Sequence, residues 1–381
     1  MKGIVSCDCG WFGLADEDKK VCPFCGNTSL KHERNMLKPS GFAPRNGIEI
    51  QQAQLDEKYS STITPLYSTM PDSDDIRPVE NYKNLKLASR TNQRIIMINK
   101  GTSYSGFVVC KECGAAMAGD KRDSLINIGR PYRLPYEKRS CNHHEIVNVD
   151  LGFDFVTDML VLEIGLDSKR INTKKSLWLS IAAQSLAEAL RLIASKELDI
   201  EFSELVAGYR LRTNSKGVFI DVYLYDSLSS GAGYSNSISN QIIIILEKTR
   251  ELLMNCNCEN ACHNCLKHYR NQFVHHILDR FAALELLEWA KDGKVKEKID
   301  FASQQKYIYS LEPIMEYYGI KIQPQDDSFI VSKKGNTKKL VIYPEMKYVE
   351  ADDKIIYVSD AYIKYARPYA LRKIIEGLEV D

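Results

Sequence analysis

The stretch Cys256-Asn257-Cys258-Glu259-Asn260-Ala261-Cys262-His263-Asn264-Cys265 places four thiols within ten residues. Ala261 is the only apolar side chain between them, so a hydrophobic core is not what gathers these cysteines. Four sulfur ligands suit the closed tetrahedral shell of structural zinc, and ligands this close in sequence form the loop that wraps the ion. The stretch reads as a metal knot. A set of four thiolates is also chemically able to hold an iron–sulfur cluster, an alternative that the colour of the purified protein separates from zinc.

Working outward, the other seven cysteines form two groups: Cys7, Cys9, Cys22 and Cys25, then Cys110, Cys113 and Cys141, the last followed by His143 and His144. All 11 cysteines are thereby used. One of the two histidines, taken as His143 with His144 left open, completes twelve ligands, enough for about three Zn2+ ions per chain. In the first group Gly10 and Gly26 follow the cysteine pairs directly, letting the loops turn tightly enough for backbone N–H groups to approach the thiolates. That pattern is a zinc ribbon. Trp11 and Phe12 on its first loop can stack on a base, but the expected role is to cover the ribbon's small core.

The 381 residues carry a net charge of +1, 44% hydrophobic and 27% charged residues, an ordinary globular composition. A near-neutral balance excludes coating nucleic acid or anionic membrane through bulk charge, so any DNA binding has to use local patches. The start M-K-G-I-V-S-C-D-C lacks an apolar signal segment, and no run approaches the roughly 18 apolar residues of a span, so a cytosolic protein without membrane association is expected. In that reducing compartment paired cysteines are metal ligands more often than disulfides.

Periodicity between the metal groups gives an α+β, multi-domain chain: small zinc modules of ribbon and knuckle type, and a helix-rich four-cysteine zinc domain. Residues 1–35 are the ribbon, 36–100 a linker with short strands such as I-I-M-I-N-K-G, and 101–149 the second zinc module. Residues 150–292 are the four-cysteine domain and 293–381 a small α/β unit. Within 150–292 the pattern is a strand or two at Asp150–Ile164 and a largely buried helix at about 174–198. A hairpin turning at T-N-S-K-G follows, then a helix through I-I-I-I-L-E-K-T-R, the knot, and a helix from near Val274 through Trp289.

Two segments mix cations with rings. Lys121, Arg122, Arg130 and Arg133 alternate with Tyr132 and Tyr136 between the cysteines of the second group. Lys267 and Arg270 sit in a basic cluster with His268, His275, His276 and Arg280 beside the knot. Cations that reach phosphates, with rings that stack on bases, make a single-strand surface. A solvated loop or helix face has the same composition, and both readings stand at this point.

The order of buried helix, hairpin ending in D-S-L-S-S-G-A-G-Y, apolar helix and C-x-C-x3-C-x2-C-L resembles the C-terminal zinc-binding (MZB) domain of MrfA-type DNA helicases over about residues 150–290. Upstream, P-S-G-F at 39–42, G-F-V-V-C-x-x-C-G and C-N-H resemble the parts that accompany this domain in the DrmB family, the helicase-associated subunits of DISARM phage defence. The resemblance implies that Cys256, Cys258, Cys262 and Cys265 bind zinc and that Asp226, Gly231 and Gly233 form the loop beside them. This chain departs from the pattern in having S-S-G-A-G where a glycine pair stands before the last glycine. It also lacks G-x-x-x-x-G-K-[ST], so the motor is expected on another chain. The implied function is a non-catalytic, DNA-binding partner of a helicase or ATPase in antiviral defence. The alternative is a Mg2+-dependent nuclease, with Asp327, Glu345 and Lys347 brought together and Glu345 and Lys347 on one face of a strand.

Overall fold

A computed structural model describes residues 1–15, 20–23, 25–39, 76–101, 104–119, 132–133, 140–174 and 176–379. The chain starts with β1 (Ile4–Ser6), β2 (Phe12–Leu14) and β3 (Lys31–His32), a small antiparallel sheet in the order β2-β1-β3. The short strands β4 (Met36–Leu37) and β5 (Arg77–Pro78) come next, then the 15-residue β6 (Leu85–Asn99). The second metal group is framed by β7 (Phe107–Cys110), β8 (Ala116–Ala118), β9 (Tyr132–Arg133) and β10 (Ser140–Cys141), and runs into the 21-residue β11 (Ile146–Leu166). The short run I-I-M-I-N-K-G expected inside a linker is thus part of one long strand. Its extent is set by pairing with β11 from Leu85↔Ile164 to Asn99↔Leu151, a partner the local sequence does not display.

After β11 come α1 (Leu177–Glu197), the hairpin β12 (Leu205–Asn214) and β13 (Gly217–Asp226), α2 (Tyr234–Asn240), α3 (Ile242–Asn255) and α4 (Arg280–Asp292). The central sheet runs β12-β13-β11-β6-β5, with β4 and β7 also on β11. Leu160, Leu162, Leu224 and Ile220 on one sheet face bury against Leu179, Leu186 and Leu190 of α1 and against α3 and α4. Each such side chain contributes about 1.5–3 kcal/mol by leaving water. Helix α1 is apolar and 21 residues long, enough to cross a bilayer, but it lies inside this core. Ser176 stops it at the N-terminus by accepting the Leu179 N–H.

The opposite sheet face is not apolar throughout. Lys86, Glu163, Asp221 and Arg210 stand directly opposite one another on the adjacent strands β6, β11, β13 and β12. Arg212 bridges Glu163 and Asp221, with Nε 3.1 Å from Asp221 Oδ2, and Arg210 Nη2 lies 2.8 Å from the same oxygen. The ribbon docks at this edge: the Thr213 N–H donates to Cys9 O, and a Cβ at Gly10 would press on Leu211 O. On its other side Ile4, Phe12, Leu14 and Met36 pack with Ile96 and Ile98 of β6.

The last part folds as α5 (Phe301–Tyr317), β14 (Lys321–Gln325), β15 (Ser328–Lys333), β16 (Asn336–Tyr343), β17 (Ile355–Ser359), α6 (Asp360–Tyr365) and α7 (Arg367–Glu379). Its sheet order is β14-β15-β16-β17, with the last pair parallel, over a core of Leu311, Phe329, Leu340, Val358 and Ile374. The mixed helix and sheet content is the α+β class read from the sequence.

Candidate metal centres

The three cysteine groups each converge: Cys7, Cys9, Cys22 and Cys25; Cys110, Cys113, Cys141 and His143; and Cys256, Cys258, Cys262 and Cys265 each bring four ligand atoms within 4.8 Å of one another. Zinc–sulfur bonds of about 2.3 Å in a tetrahedron require sulfur–sulfur edges of about 3.8 Å. The observed separations are 3.6 Å for Cys7–Cys25 and Cys9–Cys22, 3.7 Å for Cys110–Cys141, and 3.5 to 3.8 Å in the third group. His143 Nδ1 lies 3.5 Å from Cys113 Sγ, about what one nitrogen and one sulfur on the same zinc require. His143 is buried, in a left-handed backbone conformation that turns its ring to the thiols, whereas His144 is exposed. The donor sets fit about three zinc ions. Each set is closed, so zinc here would organise structure and offer no position to a reacting water.

Local backbone explains the convergence. In C-x-x-C-G, Gly26 and Gly114 both take φ near +74°, and their N–H groups return to Cys22 O and Cys110 O at 3.0 Å. An L side chain rarely adopts that conformation, so glycine closes both knuckles. Trp11 and Phe12 are buried, Trp11 among Val5, Cys7, Cys9 and Cys22, and so cover the ribbon instead of facing a base. Burial pushes the Cys9, Cys141 and Cys265 thiols up, Cys141 to about 12, while the backbone N–H at Cys258 draws Cys256 down to about 7. Metal binding displaces all these thiol protons and therefore weakens in acid.

The third group lies where α3 ends. Cys256 caps α3, Cys265 and Leu266 sink into the main core, and the N–H groups of Leu266 and Lys267 donate to Cys262 O. Arg280 is not part of a basic surface: it is buried, donating through Nε to Cys258 O and through Nη1 to Leu253 O, and so ties the knot to both helices. His275 is likewise turned in, with Nε2 2.8 Å from Asn271 Oδ1, and His268 stacks on Phe202 at 3.9 Å. The helix expected from Val274 begins instead at Arg280, because Asp279 caps it there, and residues Tyr269–Val274 form a 3-10 turn. Arg270 remains exposed and Lys267 is half-buried. Of the other segment, Lys121, Arg122, Arg130 and Tyr136 lie outside the described residues, and Tyr132 and Arg133 are described only as strand β9.

The loop preceding α2 is built on Asp226, which is fully buried. Its carboxylate accepts the N–H groups of Ala232, Tyr234 and Ser235 at 2.7 to 3.0 Å and the Ser235 hydroxyl at 2.6 Å. Gly231 and Gly233 take left-handed φ, as does Ser230 at +79° within the S-S-G-A-G stretch. We expect Ser230→Gly to stabilise the fold by about 1 kcal/mol and Gly231→Ala, whose Cβ would overlap the Asp158 carboxylate, to destabilise it by about 2 kcal/mol, both read from urea midpoints. Asp158 reaches this loop because β6 bulges opposite it, with Asn92 at φ +56° and its N–H donating to Asp158 Oδ1.

The expected nuclease face is not assembled. Glu345 lies beyond the end of β16 and is buried, accepting the Leu177 N–H at 2.6 Å and the Ser359 hydroxyl at 3.0 Å, so that it caps α1. Lys347 pairs with Glu297 at 2.6 Å. The free N–H groups and positive dipole end of α1 favour a carboxylate at this position, and Pro344 ends the strand before both residues.

This architecture, a buried helix and hairpin clasped by a closed four-thiol site, is that of a structural zinc-binding module. Residues 186–266 match the family model of the MrfA Zn-binding domain. Across 344 residues, 86% of the chain, the sequence is 31% identical to the Druantia protein DruE of Escherichia coli (strain UMEA 4076-1), of which it covers 19%. The chain thus spans about a fifth of the length of that relative. Solved structures of the DUF1998 helicase MrfA bound to DNA, and to DNA and AMPPNP, align with 56% of this chain and 24% and 23% of theirs, at 12% identity and TM-scores of 0.35 and 0.27.

Proposed function

We propose that this chain is a non-catalytic, zinc-organised DNA-binding subunit that works in the cytosol with a helicase or ATPase carried on another polypeptide, in prokaryotic antiviral defence of the DISARM-like or Druantia kind. The observation that carries the reading is the third metal centre. Its closed ligand set leaves no catalytic position, and residues 260–278, which complete the centre and continue beyond it, contain Lys267, Arg270 and four histidines but no Asp or Glu. The similarity to a Druantia protein supports the defence setting. The lack of G-x-x-x-x-G-K-[ST] in these residues supports a motor supplied from outside them.

Two measurements test it. DNA affinity should fall with salt, and Lys267→Ala with Arg270→Ala should weaken binding and flatten the log–log salt slope by about one for each phosphate the variant no longer neutralises. A tagged chain expressed in its native cell should bring down a P-loop ATPase. An unchanged salt slope overturns the DNA surface, and recovery without an ATPase overturns the partnership.

A further inference from the structure

We propose that the turn Tyr269–Val274 and the start of α4 form a base-stacking platform that binds single-stranded DNA in preference to duplex. This inference rests on the DNA-binding reading above and specifies its ligand. Three large rings stand out beside the third zinc centre: Tyr269 is 78% exposed, Phe273 49% and Phe281 39%. They are not carried on a loose loop. Asn271, 1% exposed, donates from Nδ2 to Leu266 O and to the buried Glu188 Oε2, and accepts at Oδ1 from the His268 N–H and from His275. Val274 packs into the main core on the same turn, and the Arg280 guanidinium lies 3.9 Å from the centre of the Phe281 ring while gripping the zinc loop.

A turn anchored this firmly from beneath presents its outward rings in fixed positions, at low entropic cost to a ligand that stacks on them. The charge around the rings selects that ligand. Lys267 and Arg270 have no carboxylate partner among the described residues, and the run 260–278 that carries the rings Tyr269 and Phe273 contains no Asp or Glu. Polyanions carrying flat apolar faces match both features, whereas an acidic peptide would satisfy only the cations. Bases in a duplex already stack on one another and offer no free face, so the rings reward only unpaired strands.

The test uses the full chain and fluorescence anisotropy with three probes of about 20 units: labelled oligo-dT, a duplex, and an abasic strand that keeps the phosphates without bases. The unmodified protein should bind oligo-dT about tenfold or more tighter than the abasic strand. Tyr269→Ala and Phe273→Ala should each weaken oligo-dT binding about tenfold and leave abasic binding unchanged, while Tyr269→Phe, which keeps the ring, should bind as the parent does. Zinc content reports that each variant is folded. Equal affinity for all three probes, with both alanine variants silent, overturns the platform but leaves the DNA-binding reading intact. Binding to none of the probes overturns both.

Discussion

The Cys265→Ser protein is expected to hold about two zinc ions instead of about three and to lose the clasp between α3 and α4. Cys265 is the most buried ligand of its group, 1% exposed, and its neighbour Leu266 is part of the same core as α1. Serine keeps the size, but a hydroxyl stays protonated where a thiolate is needed, so the tetrahedron loses a ligand. Structural zinc contributes an apparent binding free energy of about 10–16 kcal/mol in small zinc modules, comparable with the about 5–15 kcal/mol that holds a whole domain. The knot should therefore open, with Arg280 losing its Cys258 and Leu253 carbonyl partners. Elemental analysis and urea unfolding read the two effects together. Cys25→Ser, at an exposed position on the ribbon, should also cost one zinc but far less cooperative stability, because the main core does not run through that knuckle. A zinc count that stays at the parent value in either variant would break the ligand assignment.

The second large effect is expected at Asp221. This residue is 1% exposed and receives Arg210 Nη2 at 2.8 Å and Arg212 through both Nε and Nη2 at 3.1 Å. Asp221→Ala removes the carboxylate on which the Arg210 and Arg212 guanidinium groups converge on a largely covered sheet face. Stranding a buried charge costs about 3–5 kcal/mol, most of it desolvation that the missing partner had offset. Replacing both sides, Asp221→Leu with Arg212→Met, should return most of that stability, since an apolar pair of similar volume needs no such compensation. If the single variant unfolds at the parent's urea midpoint, the row does not carry charge as described.

Residue type and spacing made the metal centres legible. C-x-C, C-x-x-C-G and C-x-C-x3-C-x2-C are local patterns, and the left-handed glycines that close the knuckles follow two of the cysteine pairs directly. The buried helix and the hairpin were legible for the same reason, because their periodicities are complete within about 25 residues. The basic cluster beside the knot was misread in part. Composition counts Arg280, His268 and His275 as surface cations, but whether a guanidinium faces water or a carbonyl depends on what the chain lays over it. The exposed rings Tyr269, Phe273 and Phe281 were missed because spacing does not tell a buried aromatic from a displayed one. The absence of acids from 260 to 278 did not mark them out, because 81–111 lacks acids over a longer stretch.

The sequence by itself sorted the 11 cysteines into three candidate metal groups, since ligand chemistry is a property of residue type and the cysteines come in short runs. Tertiary structure alone decided the remainder. It selected His143 over His144 by backbone conformation, and it turned Glu345 from a candidate catalytic carboxylate into the cap of α1. It also lined up Lys86, Glu163, Asp221 and Arg210 across four strands, residues more than 130 positions apart at the extremes. The physical reason is that strand register and helix-end electrostatics act through space between segments whose pairing no local pattern encodes.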